Sequence, residues 1–281
     1  MCRKPRASRD TLPLVRHPFF DLPRPIPVGH RGASGERPEN TLPAFERALA
    51  QGARILETDV HPTRDGVAVI FHDGELDRTT DGFGPIAART LAELKELDAG
   101  YRFSPDGGAS FPCRGRGTTI PTLAEAFAAF PDARFNIEVK EGDRAFLEGL
   151  AKQVASAGRE ARTLLTSGSD ELITELRAIL TATGVAVAMG ASTGDCIGFV
   201  KAAADGVTPP REPMALQIPT EFAGQPLVTP ELIGFAHEHD VQVHVWTVNE
   251  PAEIERLLDL GVDAVMSDFP SRVVEAIGRR P

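Results

Sequence analysis

Residues 54–72 read RILETDVHPTRDGVAVIFH, and this stretch decides how many strands the chain contributes to a sheet. It holds two β-rich runs, Arg54–Val60 and Val67–Phe71, with only six residues between them. A parallel crossover needs about a dozen residues or more, so the runs are not successive parallel strands. Asp65-Gly66, between them, is a strong hairpin signal. We therefore interpret Arg54–Phe71 as one strand that extends beyond the sheet and folds back, with a two-residue turn that places His72 across from Asp59.

The rest of the chain alternates short β-rich runs with helical patterns, which indicates a mostly parallel sheet. The other predicted strands are Ile26–Gly29, Arg134–Val139, Thr163–Ser167, Val185–Met189, Ala215–Ile218, Gln242–Val248 and Asp263–Ser267. Predicted helices include Leu42–Gln51, Thr122–Ala129, Asp143–Ala157, Asp170–Thr183, Thr229–His239 and Ala252–Gly261. With the hairpin counted once, eight strands remain, and this count predicts a TIM (β/α)₈ barrel.

The predicted barrel is a single domain over residues 25–281, with a short β-hairpin extension at its second strand. Residues 1–24 are rich in Pro and Arg and are expected to form an extended lead-in. Residues 101–119 are rich in Gly, Pro and Arg, and we expect a loop insertion there. Its role is open at this point.

The bulk composition limits the classes of function. The 281 residues are 42% hydrophobic and carry a net charge of −10, which disfavours nucleic acid or an anionic membrane as a general partner. The three cysteines, Cys2, Cys113 and Cys196, form no C-x-x-C pair, which favours a reducing compartment. We see neither a signal peptide nor a membrane span, and we expect a cytoplasmic protein without a stable membrane anchor. The oligomeric state is not indicated.

Charged residues alternate along two of the predicted strands. Glu57 and Asp59 share one strand face, and Glu138 shares another with Lys140. The apolar opposite faces suit the helix layer of a barrel, so the charged faces are expected to line the lumen. Three carboxylates that converge in one lumen indicate a divalent cation. A salt-bridge network with Lys140 and Arg31 is the structural alternative, and the strand pattern alone leaves both open.

Two histidines favour the catalytic interpretation. His30 ends the first strand, and His72 ends the hairpin. Barrel enzymes carry their catalytic groups at the C-terminal ends of strands. Imidazoles also titrate near neutral pH, so two of them beside a cation site fit a general acid and base.

An ordered set of motifs resembles the glycerophosphodiester phosphodiesterase family, whose fold is a TIM barrel. The motifs run from about residue 26 to 270, and they are GHRGASGERPENTLPAF (29–45), LETDV (56–60), IFHD (70–73), LDRTT (76–80), IPTLAEAF (120–127), FNIEVK (135–140), VWTVN (245–249) and GVDAVMSDFP (261–270). Each motif alone is weak, but the ordered set is specific.

The resemblance implies an active enzyme, in which His30 and His72 act as acid and base. It further implies that Glu57, Asp59 and Glu138 bind one divalent cation, and that Arg31 and Lys140 contact phosphate. Ligands that are all oxygen suit Mg²⁺ or Ca²⁺. The implied reaction is hydrolysis of a small glycerophosphodiester to glycerol 3-phosphate and an alcohol through a cyclic phosphate.

The chain departs from the family pattern at two places. Ser167-Gly168 stands where many members have Ser-Phe, which removes a bulky wall and leaves the local pocket shape open. Ser267-Asp268 replaces the usual Thr-Asp, a mild change.

Four other residues have less certain roles. Glu39 either contacts substrate or has a structural role in the segment that precedes the first predicted helix. Trp246 shares a strand face with His244, so it forms either an apolar wall for substrate or part of the core. His237 and His239 lie two positions apart on a predicted helix and are expected to face solvent.

Three other functions compete with this one. The nearest is a lysophospholipase D that acts on lysolipids with the same site, for which Tyr101, Phe103 and Phe111 would supply an apolar rim. The absence of an amphipathic anchor favours a soluble substrate. An inactive metal-binding barrel is disfavoured by the intact pair of His30 and His72. A phosphosugar isomerase barrel would need no site of three carboxylates.

Overall fold

The computed structural model describes residues 17–210 and 213–280. Cys2 and the larger part of the predicted lead-in lie outside these ranges. Residues 17–24 include a short 3₁₀ helix, Pro18–Phe20, whose two phenylalanines are buried. Phe19 and Phe20 pack against Ile26 and other apolar side chains inside the barrel. The division of the chain at residue 24 remains a prediction.

Eight parallel strands form the barrel, in the order β6-β5-β4-β2-β1-β11-β10-β7. A parallel bridge between Gly190 and Ala215 links the two ends of this sheet, so the barrel is nearly closed. The described strands are β1 (Ile26–Gly29), β2 (Ile55–Pro62), β3 (Ala68–Ile70), β4 (Arg134–Val139), β5 (Thr163–Thr166), β6 (Ala188–Met189), β7 (Ala215–Ile218), β8 (Glu221–Phe222), β9 (Gln225–Pro226), β10 (Gln242–Val245) and β11 (Ala264–Ser267). The predicted single-domain TIM barrel is confirmed.

Helices surround this sheet, as the alternating pattern predicts. The described α-helices are α1 (Leu42–Ala50), α2 (Leu91–Lys95), α3 (Leu123–Ala129), α4 (Arg144–Ser156), α5 (Asp170–Thr183), α6 (Thr193–Asp205), α7 (Pro230–Glu238), α8 (Pro251–Leu260) and α9 (Pro270–Gly278). Thr41, Thr122, Asp143 and Ser169 accept a backbone hydrogen bond at the starts of α1, α3, α4 and α5. Their side chains therefore mark where each helix begins.

The barrel lumen changes from apolar to polar along its strands. Ile26 and Val28 of β1 and Ile55 of β2 belong to one buried cluster inside the barrel. The next residues on the same strand faces are His30 and Glu57, because side chains of one face recur every second residue. The alternation thus places an apolar floor below a polar site at the C-terminal ends of the strands.

The hairpin is present, but its register differs from the prediction by one residue. β2 and β3 are antiparallel with Val60 opposite Ile70, so Phe71, not His72, lies across from Asp59. The turn has three residues, 64–66, because the Thr63 amide donates to the Val67 carbonyl oxygen and the Val67 amide donates to the Thr63 hydroxyl oxygen. Gly66 ends this turn at φ 78°, the left-handed conformation that three-residue hairpin loops require.

Candidate active site

Three carboxylates meet at the polar end of the lumen. Glu57 and Asp59 lie on β2, and Glu138 on β4 is the register partner of Asp59. One ligand oxygen from each of the three lies within 4.8 Å of the other two. Glu57 and Asp59 are buried, whereas Glu138 is partly exposed. The structure therefore brings together the three residues that the strand alternation grouped.

Glu57 and Asp59 differ in their electrostatic surroundings. Burial, together with the charge of Asp59, raises the pKa of Glu57 to about 7. Burial also acts to raise the pKa of Asp59, but Lys140 and Arg31 outweigh it and lower that pKa. The Lys140 ammonium lies 2.9 Å from Asp59 and 2.8 Å from Glu138. Among the described residues, Glu57 has no lysine or arginine side chain at ion-pair distance, so the cluster lacks positive charge on that side.

The donor set fits a divalent cation. All three groups offer carboxylate oxygens, the ligands that Mg²⁺ and Ca²⁺ prefer. A cation beside Glu57 would also offset the burial and the Asp59 charge that raise the pKa of Glu57. The site is therefore compatible with a divalent metal.

The tight backbone at Gly32 places the amide and the guanidinium of Arg31 beside this cluster. A Cβ at Gly32 would lie 2.6 Å from backbone of Ala44, and its φ is 85°, so only glycine fits. The Arg31 amide donates to Glu57 Oε2 at 2.8 Å, and its guanidinium donates to Glu39 at 2.9 Å. Arg31 Nε is buried and lies 3.6 Å from Asp59 Oδ2, an ion-pair distance, but it makes no hydrogen bond among the described residues. Because a buried donor without a partner is costly, this N–H suits an anionic group of a substrate.

His30 is paired with a carboxylate from the last strand's end. Its Nδ1 lies 2.7 Å from Asp268 Oδ1. Burial lowers the pKa of His30, but the Asp268 hydrogen bond and nearby carboxylates outweigh it and raise that pKa. Asp268 also accepts from Ser34 and from Asn249, each at 2.7 Å. Burial acts to raise the pKa of Asp268, but His30, together with these two partners, lowers it to about 2. The other ring nitrogen, Nε2, lies 3.4 Å from Thr247 Oγ1.

His72 has the same kind of partner. Its Nδ1 lies 2.6 Å from Asp73 Oδ1, and Arg78 binds the other oxygen of Asp73. Burial would raise the pKa of Asp73, but Arg78 and His72 lower it to about 2. Arg78 also donates twice to Glu39, at 2.7 Å each. Glu39 therefore holds Arg31 and Arg78 in place.

The model of the glycerophosphoryl diester phosphodiesterase family matches residues 30–272, which include every one of these groups. The chain belongs to this family. It is 31% identical over 258 residues to a glycerophosphodiester phosphodiesterase of Caldanaerobacter subterraneus, covering 89% of this chain and 96% of that one. A lysophospholipase D of Rattus norvegicus is 27% identical, over 88% of this chain and 84% of that protein.

Solved structures share the barrel. A phosphodiesterase of Oleispira antarctica, solved in complex with the product sn-glycerol-3-phosphate, is 27% identical with a TM-score of 0.68. The alignment covers 90% of this chain and 97% of that chain. The expectation that the chain is a phosphodiesterase-family enzyme, a phosphoric diester hydrolase, is confirmed. In the described parts of this phosphodiesterase, no helix has both the length and the apolar character needed to cross a bilayer.

Sequence reasoning missed Asp73, Asp268, His61 and Thr247, which all contact the histidines. Asp73 directly follows His72, so its proximity was readable from the IFHD motif. Asp268 reaches His30 only because β1 and β11 are neighbours in the closed barrel. His61 stands between the two β-rich runs and had no predicted role, but it lies within β2 and contacts the backbone of His72.

Trp246 lies just past the end of β10 and is 42% exposed, so it is not part of the buried core of this phosphodiesterase. His244, two residues earlier, is buried, donates through Nε2 to Gln242 Oε1 at 2.9 Å and packs against Phe20. The strand therefore runs from the barrel interior to an exposed indole at the rim.

His237 is exposed, as predicted, whereas His239 is only partly exposed, and both have contacts that the sequence did not indicate. His237 Nε2 lies 2.8 Å from Asp263, and the His239 ring packs 4.4 Å from the Phe235 ring. Both line a cavity of about 640 Å³ beside Arg24 and Asp263. This cavity lies where β11 begins, at the opposite end of the barrel from the carboxylates, so it is separate from the candidate site.

Proposed function

We propose that this enzyme hydrolyses small glycerophosphodiesters to glycerol 3-phosphate and an alcohol, with Mg²⁺ or Ca²⁺ held by Glu57, Asp59 and Glu138. The convergence of these three carboxylates within 4.8 Å is the observation that carries the proposal. It also disfavours a phosphosugar isomerase, which needs no such cluster. The two histidine–aspartate pairs beside it disfavour an inactive barrel.

A bound cation would act as a Lewis acid and offset the charge that develops on the phosphate. Arg31 and Lys140 are proposed to neutralise the phosphate oxygens from the protein side. The Nε–H of Arg31, which makes no hydrogen bond among the described residues, is proposed as a donor for one of them. Glu39 is proposed to hold this arginine toward the substrate, and Trp246 to form an exposed wall for its alcohol part.

The histidines are proposed to move the protons. One of His30 and His72 takes the proton of the substrate's own glycerol hydroxyl as its oxygen attacks phosphorus. The other gives a proton to the oxygen of the leaving alcohol, and a cyclic phosphate forms. Water then opens that ring with the two roles exchanged, which yields glycerol 3-phosphate. The aspartate on each Nδ1 fixes the tautomer and leaves Nε2 for transfer.

A lysophospholipase D activity is the second candidate, and exposed apolar side chains favour it. Phe222, on the β8–β9 hairpin that follows β7, is 69% exposed, and Trp246 is 42% exposed. The loop at 101–119 contributes less exposed apolar surface than its composition indicates. Arg114 lies 4.2 Å from the Tyr101 ring centroid and 4.0 Å from that of Phe111, so the loop covers its own aromatic faces.

A substrate panel separates the two activities. Purified enzyme is given glycerophosphocholine, glycerophosphoethanolamine and lysophosphatidylcholine, and the released alcohol is measured. We expect the soluble diesters to be cleaved with the higher kcat/KM. Preference for lysophosphatidylcholine would support the second candidate, and no cleavage of any substrate would refute both.

Histidine variants test the proposed roles on the same panel. His30→Ala and His72→Ala should each lower kcat by roughly 10²–10⁴-fold, the range for one general acid or base. His237→Gln, at the opposite end of the barrel, is the matched control and should keep wild-type kcat. More than half of wild-type activity in His72→Ala would contradict the assignment.

We also propose that the enzyme acts in the cytoplasm. Cys113 and Cys196 are both free thiols, which fits a reducing compartment.

A further inference from the structure

A third histidine lies next to the proposed site, and the reaction above does not use it. His61 is on β2 and is only 3% exposed. It follows Glu57 and Asp59 on the same strand face, because side chains of one face recur every second residue. A buried polar ring at this position needs partners for its two nitrogens.

Both ring nitrogens of His61 have a partner. Nε2 lies 3.1 Å from the backbone carbonyl oxygen of His72, and Nδ1 lies 2.8 Å from Glu141 Oε1. A carbonyl oxygen can only accept, so His61 Nε2 donates to it. Glu141 directly follows Lys140 and is 45% exposed. His61 thus connects the segment after β4 with the segment after β3.

The backbone of His72 lies where the sheet no longer holds it. β3 ends at Ile70, and the amide of Phe71 makes the next hydrogen bond, to Asp59. The His72 carbonyl lies beyond both, and the His61 ring supplies its hydrogen bond. Asp73 fixes the ring of His72, but a ring is correctly placed only when its backbone is also fixed.

We propose that His61 is a positioning residue, which together with Glu141 fixes the backbone of His72 so that its Nε2 meets the reacting oxygen. The inference rests on the proposed catalytic role of His72. Misplacing a reacting group by about 1 Å can cost roughly 10²-fold in rate. Loss of a hydrogen bond that orients a metal-binding side chain typically costs about 10–100-fold, and we expect a loss of similar size for His72.

Two amide variants separate positioning from simple packing. The amide nitrogen of glutamine can take the place of imidazole Nε2, whereas that of asparagine takes the place of Nδ1. His61→Gln therefore keeps the donor to the His72 carbonyl, and His61→Asn keeps only the contact with Glu141. We expect His61→Asn to lower kcat by roughly 10–100-fold with KM within about twofold. His61→Gln should stay within about threefold of wild-type kcat.

The melting temperature of each variant is the control. If His61 only supported the fold, His61→Asn and His61→Gln would both lose stability and activity in parallel. Positioning instead predicts similar melting temperatures and a kcat that differs between them. Equal kcat in His61→Asn and His61→Gln, or a kcat that follows the folded fraction of each variant, would overturn the inference.

Two more variants complete the test. Glu141→Ala removes a half-exposed partner, so the fold should tolerate it, and kcat should fall by less than in His61→Asn. Wild-type kcat in Glu141→Ala would exclude a part for Glu141 in the proposed positioning. His72→Ala is measured in parallel. If it stays active, the proposed catalytic role is wrong and the inference falls with it, whereas an inactive His72→Ala beside a fully active His61→Asn overturns the inference alone.

Discussion

Replacing Asp268 by asparagine should disable His30 without removing either side chain's volume. Asp268 accepts from His30 and Ser34 through one oxygen and from Asn249 through the other. An asparagine has one acceptor oxygen and one donor NH₂ group. If its oxygen faces His30, its NH₂ faces the NH₂ of Asn249. If it flips, its NH₂ faces His30 Nδ1 and selects the wrong tautomer. In both orientations a donor meets a donor or the catalytic tautomer is lost.

The contact itself sets the size of the effect. A hydrogen bond to a charged group is worth about 1.5–3 kcal/mol, which corresponds to roughly 10–150-fold in rate. Because asparagine also loses the negative charge that raises the pKa of His30, we expect a loss of about 10²-fold in kcat. KM should change much less, since Asp268 contacts His30 rather than the proposed phosphate ligands.

The assay follows glycerol 3-phosphate release through a coupled dehydrogenase, with circular dichroism as the control for folding. Ser34→Ala removes one donor to Asp268 and keeps its charge, so it should retain most of the wild-type kcat. If Asp268→Asn keeps more than half of the wild-type kcat, the pairing of His30 with Asp268 has no catalytic part and the reasoning fails.

Three other predictions concern specificity, mechanism and stability. A Cβ at Gly168 would lie 3.8 Å from Glu138 and 3.9 Å from Thr193, so Gly168→Phe should fold but fill the space beside Glu138. This variant should lower kcat/KM for lysophosphatidylcholine more than for glycerophosphocholine. Equal losses for the two substrates would contradict a specificity role for Gly168. Deleting the 2-hydroxyl of the substrate should slow cleavage greatly, because an internal nucleophile gains up to roughly 7–11 kcal/mol from proximity; comparable kcat/KM would refute internal attack. Burial lowers the pKa of His244 from 6.5 to about 4. Between these two pH values His244 is protonated in the unfolded chain but not in the folded protein. The free energy of unfolding should then fall by about 3 kcal/mol between pH 6.5 and 4, relative to the same titration of His244→Gln, and identical pH profiles for the two proteins would contradict it.

The strands and helices with strong local patterns were predicted from the sequence. β1, β4 and α5 have the predicted ends, since each has a regular apolar period and a clear boundary. Helix α6 was not predicted, because Gly194 and Gly198 weaken its helical pattern. Its start was nevertheless readable, since Ser192 and Asp195 form a capping box.

In the candidate site, too, the residues that follow from a local pattern were predicted and the contacts that depend on tertiary packing were not. Alternation along single strands was enough to group Glu57 with Asp59 and to place Glu138 in the lumen. The contact of His30 with Asp268 joins residues 238 positions apart, and it depends on the closure of the barrel. The role of His61 depends on a hairpin register that shifts by one residue when Thr63 closes a three-residue turn. Such contacts follow from tertiary packing, and no local pattern encodes them.

The release of glycerol 3-phosphate from glycerophosphocholine, with and without a chelator, tests the central claim most directly. The three carboxylates predict that the chelated enzyme is inactive, that Mg²⁺ or Ca²⁺ restores it, and that choline and glycerol 3-phosphate are released in equal amounts. Undiminished release by metal-stripped enzyme, or no release with either cation, would contradict the account.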